Sequence, residues 1–197
     1  MKLFNYCKSL TSLDLSSFNT SYVNNMSGMF ANCKALISLD LSSFDTNKVA
    51  NMCGMFACCD ALTSLDLSSF DTSNVNDMYD MFVDCKSLVS LNLTNFNTSN
   101  VTNMGFMFYG CSGLTSLDLS NFNTSKVTDM GGMFKNCSAL ETLDYSLNGF
   151  LNNSIAPDLS GCTNLKTLKL HHVGSATVSN FISKSKLPST CNVTQVS

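Results

Sequence analysis

Apolar residues recur along this chain with a constant period of 26 residues. Six cysteines mark the period: Cys7, Cys33, Cys59, Cys85, Cys111 and Cys137. The copies share the unit C-x-x-L-x-x-L-D-L-S-x-F-x-T-x-x-V-x-x-M-x-x-M-F. A fixed period between about 20 and 50 residues is typical of proteins built from stacked repeats. We therefore expect each copy to be one structural unit that packs on the next.

The two halves of the unit carry different periodicities. The first half, around S-L-D-L-S, alternates apolar and polar residues, which predicts a short strand. In the second half Val23, Met26 and Met29 are spaced by three, with Phe30 next, which predicts one face of a helix of about three turns. A threonine before each of these segments is predicted to be the helix N-cap: Thr20, Thr46, Thr72, Thr98 and Thr124.

A strand and a helix of this size cannot bury their apolar faces alone, but stacked copies share a continuous core. The pattern predicts an α/β solenoid of the leucine-rich-repeat type, with a parallel sheet on the concave side and short helices on the convex side. We expect six to seven repeats in residues 1–170, the first incomplete, and a capping segment in 171–197 with a helix from Ser175 that ends before Pro188. Because Phe4 is in register with Phe30, the chain is expected to belong to a larger chain or assembly.

The full unit, as in LTSLDLSSFDTSNVNDMYDMFVDC from Leu62 to Cys85, resembles the 26-residue repeat of BspA-like bacterial surface proteins, within the leucine-rich-repeat class. The resemblance extends from Phe4 to Cys137 and weakens from Glu141. Members of that family are mostly found on cell surfaces and are linked to adhesion. The resemblance thus implies a cell-surface or secreted protein that binds host or matrix partners.

Charge and hydropathy exclude several partners. All 11 basic residues are lysines and the net charge is −3, so the guanidinium groups and basic surface typical of nucleic-acid binding are missing. No apolar stretch approaches the roughly 18 residues of a membrane-spanning helix. The segment MKLFNYCKSL at the start lacks the apolar run of a signal peptide. We expect neither nucleic-acid binding nor membrane insertion.

Acidic and hydroxyl side chains occupy the polar positions of the predicted strands. The central column contains Asp14, Asp40, Asp66, Asn92, Asp118 and Asp144. Stacked carboxylates repel one another, by about 1 kcal/mol per neighbouring pair in water. A row of calcium sites at Asp14, Asp40, Asp66, Asp118 and Asp144 is one interpretation. The favoured one is hydrogen bonding from neighbouring Ser and Thr hydroxyls, with partial protonation, because no calcium-binding loop motif is present.

Candidate partner-binding residues fall into two groups. On the strand face they are Asp40, Asp66, Asn92 and Asp118. At the end of the predicted helices, aromatic residues replace small or polar ones in adjacent repeats, which predicts a local binding patch: Tyr79, Phe106 and Tyr109.

Other reactive residue types have structural interpretations. The periodic cysteines and methionines are predicted to be core residues. Cys53, Cys58 and Cys191 are out of register: Cys58 is a candidate for metal binding or oxidation, and Cys191 for a disulfide with Cys162. The two histidines, His171 and His172, lack a third metal ligand nearby. No cofactor and no enzymatic activity are predicted.

Two functions are favoured from the sequence, and a third, a metal-dependent enzyme that uses the Asp column, is kept only because the carboxylates converge. The first is a surface-exposed recognition module that binds a protein or glycan weakly per repeat and gains avidity through repetition. The second is an intracellular or particle-associated scaffold that docks on a larger assembly. Ten free thiols would favour the second, and stable disulfides the first.

Overall fold

A computed structural model describes residues 2–148, 156–171 and 175–196. Within these ranges the regular elements lie in the C-terminal part and form a four-stranded parallel sheet, in the order β1-β2-β3-β4, with a helix between the last two strands. The elements are β1 (Ser116–Leu119), β2 (Thr142–Ser146), β3 (Thr167–His171), α1 (Ser175–Ser185) and β4 (Asn192–Val196). The register aligns Leu117, Leu143 and Leu168, so the predicted leucine column lies on one face of the sheet.

The predicted short helices of the repeats are wrong for the described residues: the segments from Val23 to Met133 are successions of turns. In one repeat the N–H of Met29 donates to the carbonyl of Met26, and that of Cys33 to Phe30. These bonds span three residues and not the four of an α-helix. Every second N–H group in this segment donates to a carbonyl of the next repeat, so a helical hydrogen-bond ladder cannot form.

Those alternate groups bind the next repeat. The N–H of Gly28 donates to the Cys53 carbonyl at 2.8 Å, and the N–H of Phe30 donates to the Met55 carbonyl at 2.9 Å. The pattern recurs in each following repeat to Gly110, whose N–H donates to Lys135. Parallel bridges join Asn25, Asn51, Asp77, Asn103 and Asp129 in the same segments. We call this side of the repeats the turn side.

Left-handed backbone conformations explain why the turn side cannot be helical. In each repeat two residues have φ between 55° and 71°, at the positions of Gly28 and Asn32. This region lies outside the helical one and favours glycine. The prediction that the apolar residues of this segment are buried is nevertheless confirmed, because successive turns place Met26, Met29 and Phe30 inside the protein.

The predicted N-cap threonines instead join neighbouring repeats. All five are buried, and each hydroxyl donates to a backbone carbonyl of the next repeat at 2.9–3.1 Å. In the first four the same hydroxyl accepts the N–H of that residue at 2.7–2.8 Å. Thr72, for example, binds both backbone groups of Asn97.

The strands predicted in the first four repeats are present only as a burial pattern. Leu39 and Leu41 are buried and Asp40 between them is exposed, as alternation requires. The backbone hydrogen bonds on this side are few and long in these repeats, such as the 3.5 Å bond from the N–H of Thr63 to the Ile37 carbonyl. We call this side, with its exposed aspartate column, the Asp face.

The core contains a stack of phenylalanine rings, one from each repeat. Centroids of neighbouring rings lie 5.6–5.8 Å apart with interplanar angles of 2–8°. The rings belong to Phe4, Phe30, Phe56, Phe82, Phe108 and Phe134. At the C-terminal end, Tyr145 meets Phe134 edge-on and contacts Phe181 of α1 at 5.4 Å. The helix predicted from Ser175 is therefore present and closes the stack, whereas β4 was not predicted.

Candidate interaction surfaces

The Asp face positions its carboxylates by a local hydrogen bond in each repeat. In Asp14, Asp40 and Asp66 an Oδ1 atom accepts the N–H of the serine two residues later at 2.9–3.0 Å. Asn92 and Asp118 make the same bond, to Thr94 and Ser120. The side chain of each repeat is thus oriented by its own backbone, which leaves the remaining carboxylate lone pairs exposed.

These bonds keep the aspartates ionised. The backbone N–H and hydroxyl of Ser16 lower the pKa of Asp14, and the corresponding groups of Ser42 and Ser68 lower the pKa of Asp40 and Asp66. Partial protonation, expected from carboxylate repulsion, is therefore wrong for these three. The expected hydroxyl bond is present at Asp14, where the Ser16 hydroxyl donates at 2.7 Å.

The candidate calcium residues do not converge. Among the described residues, no group of three or more His, Cys, Asp or Glu side chains is arranged to hold a metal ion. Asp144, the last of the column, has cationic and imidazole neighbours instead: Lys169 Nζ lies 3.3 Å and His171 Nε2 3.7 Å from its Oδ2. His172 lies outside the described residues.

Three clefts open along the Asp face. Two are in the N-terminal repeats, with volumes of about 210 Å³ beside Asp14 and about 330 Å³ between Asp40 and Asp66. The third, of about 410 Å³, extends from Asn92 to Lys169. Serine and threonine side chains line all three together with the column. The face therefore presents hydrogen-bond acceptors and hydroxyl donors at a regular interval.

The three predicted patch residues come together on the turn side. The ring of Phe106 lies 5.7 Å from that of Tyr79 in an edge contact and 5.7 Å from that of Tyr109. All three side chains are half-buried. Burial and the nearby Asp80 and Asp129 raise the pKa of Tyr79. We call these three residues the aromatic patch.

The cysteines are free, and the periodic ones from Cys33 to Cys162 are buried as predicted, in a ladder whose hydrogen bonds the sequence did not indicate. From Cys33 to Cys162 each in-register thiol donates to the carbonyl of a phenylalanine in the preceding repeat, at 3.0–3.4 Å. The predicted Cys162–Cys191 disulfide is wrong, since both thiols are free. Burial raises the pKa of Cys53 and Cys58, helped by nearby aspartates, which disfavours the reactive thiolate.

The described residues therefore define a protein of stacked 26-residue repeats with a polar face and an aromatic patch. Residues 1–91 and 59–153 match the family described as "Mycoplasma protein of unknown function, DUF285", and the chain belongs to this family. No curated protein matches the chain. No solved structure matches it either. No helix in the described ranges has the length and apolar character needed to cross a membrane.

Proposed function

We propose that this chain is a leucine-rich-repeat-type solenoid that acts as a non-enzymatic recognition module, with the Asp face as its ligand-binding surface. One observation carries the proposal: carboxylate and amide side chains that accept a hydrogen bond from their own backbone line three open clefts on the same face. A side chain that its own backbone already orients loses little conformational entropy when a ligand binds.

The chemistry of the face suits protein or glycan ligands. Carboxylate oxygens accept hydrogen bonds from hydroxyl, amide and ammonium groups, and the flanking serine hydroxyls both donate and accept. Copies of the set recur once in each repeat, about 4.8 Å apart where the strands are paired. An extended ligand can therefore contact several repeats, and weak contacts in each repeat add through avidity.

A cell-surface role is part of the proposal. The BspA-like resemblance of the 26-residue unit supports it, because members of that family are linked to adhesion at cell surfaces. Membership of the DUF285 family is consistent with a repeat protein of this kind but names no ligand. We therefore propose cell-surface or secreted localisation, with a host or matrix protein or glycan as the ligand.

The test uses two matched double variants on an array of glycans and matrix proteins. Asp40→Asn with Asp66→Asn removes two charges from the Asp face. The control, Asp45→Asn with Asp71→Asn, removes two exposed charges from the same repeats. Each of these aspartates also accepts the backbone N–H of the residue two positions later. The proposal predicts that binding falls about tenfold or more in the first variant only. If both double variants keep the binding of the wild-type protein, the proposal is contradicted.

A second function, an intracellular or particle-associated scaffold, is favoured by the ten free cysteines. Unpaired thiols persist in reducing compartments, whereas extracellular proteins tend to form disulfides. In this case the repeats dock on a larger assembly and the Asp face has no soluble ligand. Fractionation of cells followed by surface proteolysis distinguishes the two, because only a surface protein is cleaved in intact cells.

A further inference from the structure

The aromatic patch has its own construction within the repeat pattern. Tyr79 packs over Gly105, where an added Cβ would lie 3.1 Å from the tyrosine ring, and Phe106 packs over Gly132, where it would lie 2.6 Å from the phenylalanine ring. The two rings thus occupy space that side chains at the glycines would fill. The glycines of two successive repeats leave room for the rings on the turn side.

Phe106 occupies a left-handed position that glycine fills in three other repeats and Asp80 fills in a fourth. The equivalent residues Gly28, Gly54 and Gly132 are left-handed, and Phe106 shares the conformation with φ of 55°. A bulky residue there is strained, whereas glycine is not. The fold itself does not need the ring, since three other repeats form the same turn with glycine. A ring held in a strained conformation that the fold does not require points to a functional role.

The surroundings of Tyr79 in the patch are acidic. Asp80 and Asp129 lie close enough to Tyr79 to raise its pKa, and Asp77 accepts the Tyr79 N–H at 3.0 Å. Within the described ranges no lysine Nζ lies within 4.0 Å of a carboxylate oxygen of Asp77, Asp80 or Asp129. The pKa of Asp80 is raised by burial and by Asp77 and Asp84.

Other exposed tyrosines in this chain have a lysine over the ring. Lys48 Nζ lies 4.9 Å from the centroid of Tyr22, and Lys8 Nζ lies 5.6 Å from that of Tyr6. In the part of the chain that the structure describes, no lysine lies over a ring of the aromatic patch. The patch therefore combines π faces with unneutralised carboxylates, and both attract cations.

We propose that the aromatic patch binds a basic segment of a partner protein, with an arginine or lysine stacked on the rings and paired with Asp77, Asp80 or Asp129. Arginine suits the site best, because its planar guanidinium stacks on aromatic rings and binds carboxylates in two-point contacts. A second copy of this chain is a poor occupant, since it has no arginine and a net charge of −3.

A trough beside the patch has room for the rest of such a segment. A cavity of about 410 Å³ on the turn side is lined by Gly54, Ala57 and Cys53, reaches Asp77, and has Lys2 at its far end beside Gly28. The N–H of Gly54 donates to the Tyr79 carbonyl at 2.7 Å, so the trough and the patch adjoin. Small residues on its floor admit the alkyl stem of a neighbouring basic side chain. The proposal rests on the recognition function above but uses a different face.

The test measures fluorescence anisotropy of a labelled peptide of alternating arginine and glycine against the full chain. The variant pair Tyr79→Ser and Phe106→Gly installs the residues found at the equivalent positions Ser27 and Gly28, and glycine removes the left-handed strain. Loss of binding then cannot be ascribed to unfolding if thermal melting is unchanged or improved. The control Tyr22→Asn removes an exposed tyrosine and installs the residue of Asn74.

We expect affinity to fall about tenfold or more in the paired variant, to persist in Tyr22→Asn, and to weaken with added salt. A peptide of alternating glutamine and glycine should not bind. Absence of arginine-peptide binding overturns the proposal, as does equal binding by the paired variant. If the arginine peptide loses affinity only in the double variant Asp40→Asn with Asp66→Asn, the peptide binds the Asp face and the proposal is overturned. If the wild-type protein forms dimers and Phe106→Gly dissociates them, the patch binds a second copy of this chain, which also overturns the proposal.

Discussion

The N-terminal repeats and the C-terminal strands hold their backbones together on opposite sides. In the N-terminal repeats the turn-side bonds to the next repeat are 2.7–3.0 Å long, whereas on the Asp face the bonds from Ile37, Thr63 and Val89 to the preceding repeat are 3.4–3.5 Å. In the C-terminal part the corresponding bonds from Glu141, Lys166 and Asn192 shorten to 2.8–2.9 Å, and full strand pairing appears.

The difference teaches that one repeat sequence supports two ladders. The turn-side bridges end at Asp129, and the paired strands run from Ser116 to Val196, so the second ladder takes over where the first stops. In the N-terminal repeats the cohesion comes from turns, buried threonines and stacked rings. Their Asp face carries little of that cohesion and is free to bind a ligand.

The largest expected effect comes from a ring in the middle of the stack. Phe82 is fully buried between Phe56 and Phe108, with centroids 5.7 and 5.6 Å away. Phe82→Ala should lower the free energy of unfolding by about 3–5 kcal/mol, since it leaves a cavity in the core. Urea denaturation followed by circular dichroism measures it. A loss below about 1 kcal/mol would mean that the stack does not hold the repeats together.

The next effect concerns a threonine between repeats. Thr72→Val keeps the shape of the side chain but leaves the N–H and carbonyl of Asn97 without the bonds they now make. We expect a loss of about 2–3 kcal/mol, because unsatisfied buried polar groups are costly. Thr142→Val, at an exposed strand position, is the control and should change stability by less than about 0.5 kcal/mol. Equal losses of stability in Thr72→Val and Thr142→Val would contradict the claim that the buried threonines hold neighbouring repeats together.

A smaller effect tests the C-terminal part through acid. Hydrogen bonds from Lys186 and Ser160 lower the pKa of Asp158 to about 2, below its value in the unfolded chain. Its contribution is therefore complete above about pH 4 and is lost as the pH falls towards 2. The carboxylate is partly exposed, so we expect Asp158→Asn to cost only about 1 kcal/mol at pH 7 and a small fraction of that at pH 2. A cost independent of pH would disprove the ion pair as its source.

The smallest effect has the opposite sign and lies on the turn side. Burial and the carboxylates of Asp77 and Asp84 raise the pKa of Asp80 above its unfolded value. Its ionisation therefore opposes folding, and stability falls as the pH rises from about 4 through the folded pKa. Asp80→Asn should stabilise the protein by about 0.5 kcal/mol at pH 7, an advantage that disappears below about pH 4. Thermal melting at both pH values checks this, and destabilisation at pH 7 would contradict it.

Much of the fold followed from the sequence, because burial depends on spacing. The period of 26, the buried leucine, methionine and phenylalanine columns and the helix from Ser175 were all predictable. The turns were not, since the spacing of Met26, Met29 and Phe30 suits a helix equally well. Glycine marks the left-handed position in only three of the five repeats, because Asp80 and Phe106 replace it in the other two.

The candidate surfaces were predictable in membership but not in geometry. The sequence grouped Tyr79, Phe106 and Tyr109 because they depart from the repeat, and the structure brings their rings together. It did not indicate their acidic surroundings or the glycines beneath them. The sequence also predicted the threonine column as helix N-caps, because a hydroxyl residue before a helical apolar pattern is typical of a cap. In the structure these hydroxyls instead bind the backbone of the next repeat, as Thr46 does with Asp71.

The central claim is that the turn side holds the N-terminal repeats together while their Asp face is only loosely bonded. Residue-resolved amide hydrogen exchange tests it directly. The amides of Gly54 and Phe56, on the turn side, should exchange at rates set by global unfolding. Those of Thr63 and Val89, on the Asp face, should exchange about tenfold faster or more. Equal protection on the two sides, or faster exchange at Gly54 and Phe56, would contradict the claim.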